Sequence, residues 1–548
     1  MGCGRRRRGG RAGAAGAGLD PQQIQPSSTA DPRNAGGVGQ LGDPGSAAGA
    51  GDFAAHPSNG LQPELSVTPH DLSDRIGDTL RRAATTAAAL TAAATLAVSV
   101  TAPAAWAIAP PTVPADPPIP ADPAPVADPP LKRDDNKPCN LPGVLPAPPV
   151  TDVAAAQTQL ALDDAHKYST GRDVTVAIID TGVAPNPRLP RLQPAGDYVD
   201  PPANGLQDCD MHGTLVAGII GAAPSPADPV VGVAPDANIL SIRQSSAMWS
   251  LQNPSGANLQ EQEGVGKIDA LAAAIVHAAN LGARVINMSV FACIPAAHPV
   301  DQTKLGIAVW YASVVKDVVL VAAAGNVGSG DGDCQSNPDT DPLTPEDPRN
   351  WNHVISVSAP SWYSDYVISV GAVDANGAAP DKTAGAAKFS MMGPWLSLAA
   401  PGVNVVTTGP DGNAVNAEPA RDGLTNLFGT SFSAAYVSGT AALIRARFPE
   451  LSAAQVRCRL TQTAHAGPRG VDNAVGYGLI DPVAALTYDL PRTCPRAIAE
   501  THREHLVLTP RPVPPDRGPH NWALAISVVI LAVTAGPAVL WRSRRRSA

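Results

Sequence analysis

From about residue 151 the chain alternates short apolar runs with longer stretches of helical period. VTVAIID (174–180) is an unbroken run of strand length, and GVAPDANILSIRQ (232–244) contains another. VVLVAAAGN (318–326) and VISVGAVD (367–374) add two more, while IDALAAAIVHAANLGARVINMSV (268–290) reads as an amphipathic helix followed by a strand. Strands that are apolar throughout, and not only at alternate positions, are buried on both faces. Their alternation with helices predicts an α/β domain over 151–490, a mostly parallel sheet with helices on both faces. Three elements close it: a helix holding Ser431, a helix opened by a capping box at Ser452 and Gln455, and GYGLIDPVAAL (476–486).

The flanks lack this texture. Residues 108–150 are about one-third proline, which dictates extended backbone and forbids a core of their own. Residues 1–80 carry Gly, Ala, Arg and Pro without periodicity, as either a start assigned too far upstream or a disordered cytoplasmic extension. After Arg81 and Arg82 an apolar stretch ends in Ala105-Trp106-Ala107, the small-x-small form of a signal-peptidase site, so 81–107 reads as a signal peptide. Cleavage there would leave Ile108 first. Past a Pro- and Arg-rich linker (491–521), WALAISVVILAVTAGPAVLW (522–541) is uncharged and as a helix would span roughly 30 Å, the thickness of a bilayer core. It reads as a single transmembrane helix, and the basic tail 542–548 puts that end in the cytoplasm. The domain would then sit on the extracytoplasmic side of the plasma membrane. The polar stretch SLQNPSGANLQEQEGVG (250–266) reads as a solvated insertion or a border of the cleft.

Composition sharpens this. With 57 Pro and 50 Gly against 6 Phe, 8 Trp and 8 Tyr in 548 residues, one large domain flanked by irregular segments is expected. The net charge of −9 is mild and the basic clusters sit at the two ends, so no nucleic-acid partner is implied. Beyond the leader six cysteines remain: Cys139, Cys209, Cys293, Cys334, Cys458 and Cys494. An even number in an oxidising compartment points to disulfides, in any of about 15 pairings. No CxxC or His-rich cluster is present, which argues against a zinc site, and no cofactor is expected.

The candidate chemistry starts at NLFGTSFSAAYVSG (426–439), where Ser431 stands behind a Gly-Thr step and ahead of small residues. A serine hydroxyl is a poor nucleophile until a base takes its proton and a third group orients that base. His212 in DMHGTLVAGIIG would lie in the first turn of a buried helix. Asp180 in VAIIDTGV ends a strand, where ligand-facing groups collect in open α/β sheets. Each alone reads equally well as a cap or a turn; together they make a nucleophile, a base and an orienting acid. Asn326, in AAAGNVGSG, would donate to the oxyanion of a tetrahedral intermediate, with the backbone N–H of Ser431 as second donor. No GxSxG occurs, which excludes the usual α/β-hydrolase elbow.

Asp in DTGV, His in HGT, Asn in AAGN and Ser in GTS, in that order, resemble the subtilisin family of serine proteases over about 150–490. The resemblance implies Asp180, His212 and Ser431 as triad, Asn326 as oxyanion donor, and Ser289 to Phe291 with Ala323 to Gly325 flanking the substrate's P1 side chain. Four positions depart from the common pattern. Leu215 replaces a second histidine, Met211 the glycine before the catalytic histidine, Ala435 a proline, and Phe291 a glycine of the pocket. A folded pro-domain is also missing, since 108–150 is too short and proline-rich to make one.

Taken whole, the chain is similar to the mycosins, membrane-anchored subtilisin-like proteases of bacterial type VII secretion. The likeness rests on a signal peptide, a proline-rich extension, HGTLVAG, LSIRQSS, INMSV followed by Cys293, and one C-terminal span. It implies secreted protein substrates and a place in the secretion membrane complex, either as its protease or mainly as a structural component. It also implies an extension that wraps the domain, with Cys139–Cys209 pinning it beside the active site and Cys293–Cys334 tying a loop. Cys458–Cys494 is the pair that remains.

Overall fold

A computed structural model describes residues 108–491 apart from 123, 253–258, 329–333, 342, 375–388 and 468–469, with the side chains of 259–266 also left aside. The expected leader, linker and membrane span therefore lie outside the described residues. Within them no helix is long and apolar enough to cross a membrane.

Seven parallel strands lie side by side in the order Leu396–Pro401, Val367–Val373, Val319–Ala323, Val285–Met288, Thr175–Asp180, Asn238–Arg243, Leu192–Asp197. The period of two explains the layers. Val176 and Ile178 point into one core, against the helices His212–Gly221 and Thr430–Arg447. Ala177 and Ile179 point into the other, against Leu259–Asn280 and Thr303–Trp310. Sheet strands apolar at every position are what such a sandwich requires. Small residues let the helix after Ser431 approach closely: a Cβ on Gly439 would fall 2.5 Å from that of Val233.

The five strands legible as apolar runs are all central. Both edge strands escape that reading, because LQPAGD (192–197) carries Pro194, Gly196 and Asp197, and LSLAAP (396–401) has no β-branched residue. The hairpin of Ala417–Ala420 with Gly423–Phe428 escapes it too. The long helix begins at Leu259, well before the amphipathic part at 268, so residues 259–266 of the expected polar insertion are helix. LQEQE is made of good helix formers, which extend it toward the N-terminus. The capping box forms as expected: Gln455 N donates to Ser452 Oγ at 3.3 Å and Ser452 N to Gln455 Oε1 at 2.8 Å.

The proline-rich segment runs along the domain. Leu131–Arg133 pairs antiparallel with Trp249–Leu251, Gly143 bridges Ala417, and Ile108 and Val113 pack against the second core. The disulfides Cys139–Cys209 and Cys293–Cys334 are present. Cys458 is also disulfide-bonded, and its expected partner Cys494 lies outside the described residues.

Candidate active site

Strand ends and helix starts bring the site together. Asp180 is the last residue of its strand and is fully buried. Its Oδ1 accepts from His212 Nδ1 at 2.7 Å and from the Thr181 N–H at 2.7 Å. His212 is the first residue of its helix, and Gly213 lets the helix start lie against the Asp180 strand: a Cβ there would fall 2.0 Å from the Gly182 carbonyl oxygen. The hydrogen bond fixes the tautomer of the neutral ring, because a carboxylate only accepts, so Nδ1 carries the proton and Nε2 is left as the base. Met211 precedes it with φ +67°, a left-handed backbone that explains why glycine is usual at this place.

Ser431 is the second residue of the helix Thr430–Arg447 and is 4% exposed. The ring of Phe432, the next residue, lies 5.7 Å from that of His212. Its hydroxyl donates to the Ser289 carbonyl at 3.2 Å, so the expected bond to the imidazole is replaced by one to the neighbouring strand end. A buried polar chain holds this corner: Ser438 Oγ donates to Asn287 Oδ1 at 2.8 Å, Asn287 Nδ2 to Ser289 Oγ at 2.9 Å, and Ser289 Oγ to the Ser431 carbonyl at 2.8 Å.

Asn326 Oδ1 accepts from both Thr430 N and Thr430 Oγ1 at 3.0 Å. Thr430 N–H can only donate, which fixes the amide orientation and makes Nδ2 the donor end. That nitrogen would lie 3.5 Å from a Cβ on Gly429, directly ahead of the Ser431 helix. Asn326 thus also anchors the helix start, a role its sequence context does not suggest.

The sequence profile of the subtilase family matches residues 171–478. Mycosin-1 of Mycolicibacterium smegmatis is 44% identical over 452 residues, covering 81% of this chain and 95% of that protein. Mycosin-1 of Mycobacterium tuberculosis is 47% identical over 409 residues, covering 74% and 88%. The crystal structure of MycP1 from Mycobacterium smegmatis superposes with a TM-score of 0.66 at 46% identity, covering 70% of this chain and 97% of that one. The chain is a mycosin, of the subtilase family. It is a serine endopeptidase of that family.

In this mycosin three acidic groups gather around the imidazole, two of which the sequence did not single out. Asp208 is 4% exposed and accepts from Thr181 Oγ1 (2.9 Å), Met211 N (2.8 Å), Thr214 N (2.8 Å) and Thr214 Oγ1 (2.6 Å). It ties the start of the His212 helix to the residue after Asp180. An acidic residue just ahead of a helix start was the available signal. Burial pushes the Asp208 carboxyl up to about 7, against the hydrogen bonds from Thr214 and Thr181. Glu418 is likewise raised by burial and drawn down by His212. For His212, burial works against the charged ring. The charge and hydrogen bond of Asp180, with smaller shares from Glu418 and Asp208, outweigh it and raise the group to about 9. Among the described residues no group of three or more His, Cys, Asp or Glu is placed to hold a metal ion.

Proposed function

We propose that this mycosin cleaves secreted proteins from the outer face of the plasma membrane, with Ser431 as nucleophile, His212 as base, Asp180 as its orienting acid and Asn326 as oxyanion donor. The reading is supported above all by the 2.7 Å bond from His212 Nδ1 to the fully buried Asp180. Substrate would lie with its P1 side chain between 289–291 and 323–325. The Ser431 hydroxyl leaves the Ser289 carbonyl, its proton passes to His212 Nε2, and Oγ bonds to the scissile carbonyl carbon. The carbonyl oxygen takes the negative charge and accepts from Asn326 Nδ2 and the Ser431 N–H. His212 then gives its proton to the leaving amine. Water hydrolyses the acyl-enzyme by the same steps and frees Ser431. A fluorophosphonate probe should label the wild type and leave Ser431→Ala unlabelled; equal labelling would sink the assignment.

The rest of the reading concerns place. Residues 81–107 deliver the chain, 522–541 anchor it as one span, and 108–150 is the mature N-terminal extension. Relatives carry the association: MycP1 is described as an essential component of the type VII (ESX-1) secretion system, and a chain of the intact ESX-5 inner membrane complex is 45% identical, with a TM-score of 0.66. That second likeness favours a further reading, in which the chain is mainly a structural component of the membrane complex. Assembly of the complex in a Ser431→Ala strain separates the two roles. N-terminal sequencing of the membrane-extracted protein tests cleavage before Ile108.

A further inference from the structure

Far from Ser431, the proline-rich segment arches over the second helical layer without collapsing onto it. The segment touches the domain at the Asp122–His277 pair at 2.9 Å and at Pro125 against Gly196, and again where Leu131–Arg133 pairs with Trp249–Leu251. Around these contacts lies a cavity of about 850 Å³, lined on the segment's side by Pro120 and Val126 and floored by Ala273, Val276 and Ile307. Its volume is that of a site for a sizeable ligand, larger than one side chain needs. On a helix facing water, polar residues would be expected where Ala270 and Ala273 stand. Val126 at the lip is 53% exposed, and Ile119, between the lining residues Pro118 and Pro120 along the chain, is 61% exposed, apolar surface of the kind that marks interaction sites. Tyr198 lines the same space, and its buried hydroxyl has no hydrogen-bond partner among the described residues.

Charge narrows the occupant. Asp128 is among the lining residues and Asp122 lies beside them in its pair with His277, while on the floor Lys304 is already paired with Asp269 at 2.5 Å. Carboxylates at the rim repel lipid phosphates and fatty-acid anions and attract a cation.

We propose that this cavity and its lips form a docking surface for a protein of the membrane complex that inserts a short apolar segment flanked by Lys or Arg. The inference rests on the reading of this chain as part of such a complex. The test uses the full affinity-tagged chain in a type VII-secreting host, with co-purification of the membrane complex as readout. Ala273→Trp fills the cavity from its floor, and Ile119→Asp and Asp128→Lys alter exposed positions that folding does not need. Each should lower co-purification by about tenfold or more, with fluorophosphonate labelling unchanged. A benzophenone side chain in place of Val126 should cross-link to an apolar segment beside a basic residue. Undiminished co-purification in all three variants, or cross-links to lipid or to an acidic segment, overturns the docking surface alone. Failure of the wild type to co-purify overturns the membrane-complex reading and this inference with it.

Discussion

The sheet-borne site and the proline-rich segment reach order by opposite means. Asp180, His212 and Ser431 stand on elements whose apolar faces are buried in two cores, so their positions follow from packing around them. The segment 108–150 has no core and is held by the frame. Asn140 N donates to the Cys209 carbonyl at 2.9 Å and Asn140 Nδ2 to that of Asp210 at 3.1 Å, beside the Cys139–Cys209 bond. Farther along, Asn416 Nδ2 donates to the carbonyls of Leu145 (2.8 Å) and Pro148 (2.7 Å), and Asn426 Nδ2 to that of Ala147 at 2.6 Å. The strap therefore joins the loop ahead of His212 to the hairpin ahead of Ser431. A segment that cannot fold alone can still set the spacing of a site that can.

The largest effects should come from the frame and leave the strap untouched. Ser431→Ala should lower turnover of a peptide substrate by about 10⁶, with unchanged thermal stability. Asn326→Ala should cost about 10² to 10³ in kcat, and also some stability, since Thr430 loses its acceptor. Asn326→Asp separates these roles: it keeps an acceptor for Thr430 and removes the donor, so stability should hold while kcat falls. A stable but fully active Asn326→Asp enzyme would remove Asn326 from the oxyanion site.

The strap should matter next. Replacing Cys139 and Cys209 together by Ser should lower unfolding free energy by about 2 to 5 kcal/mol, read from a denaturant midpoint. Because Cys209 lies three residues before His212, kcat should fall as well. An unchanged kcat would reduce the strap to a stabiliser and dissolve its link to the cleft. The imidazole tests the other side of the comparison through pH. His212 is raised from 6.5 to about 9, so its ring is charged at neutral pH and kcat/KM should climb as pH rises toward that value. The stability it contributes runs the other way, fully present below 6.5 and lost as pH rises through about 9. Glu418→Gln removes a charge that favours the imidazolium and should move the activity midpoint to lower pH. A midpoint that stays put would place Glu418 outside the site's field.

The four site residues were legible because each ends an apolar run or opens a helix, places where periodicity and the strand-end rule point. Glu418 was not, nor was the bond from Ser431 to Ser289, because their meaning lies in partners distant along the chain; Asp208 was passed over although it stands just ahead of a helix start. Ser431 meets Ser289 across 142 positions, and no local pattern encodes that pairing. The same holds for the edge strands, where Pro194 and Gly196 erase the signal that buried centres keep. The strap's proline content gave its extended backbone. Its path came only from the frame, through Gly143 beside Ala417 and Leu131 beside Leu251.

The smallest effect lies where strap and frame meet. Met211 joins the disulfide-bearing loop to the His212 helix at φ +67°, and its N–H is tied to Asp208 at 2.8 Å. A left-handed conformation costs an L-residue about 1 to 2 kcal/mol, whereas glycine adopts it freely but gives up about 0.5 to 1 kcal/mol more entropy on folding. Met211→Gly keeps the backbone N–H and its acceptor, so the difference should surface as a gain of up to about 1 kcal/mol, measured as a raised Tm. If kcat also rises, the strain had been displacing His212. If stability rises at constant kcat, the four hydrogen bonds to Asp208 already hold the helix start in place and the strap absorbs the strain. A loss of stability would mean that the methionine side chain packs against the loop by more than its backbone costs.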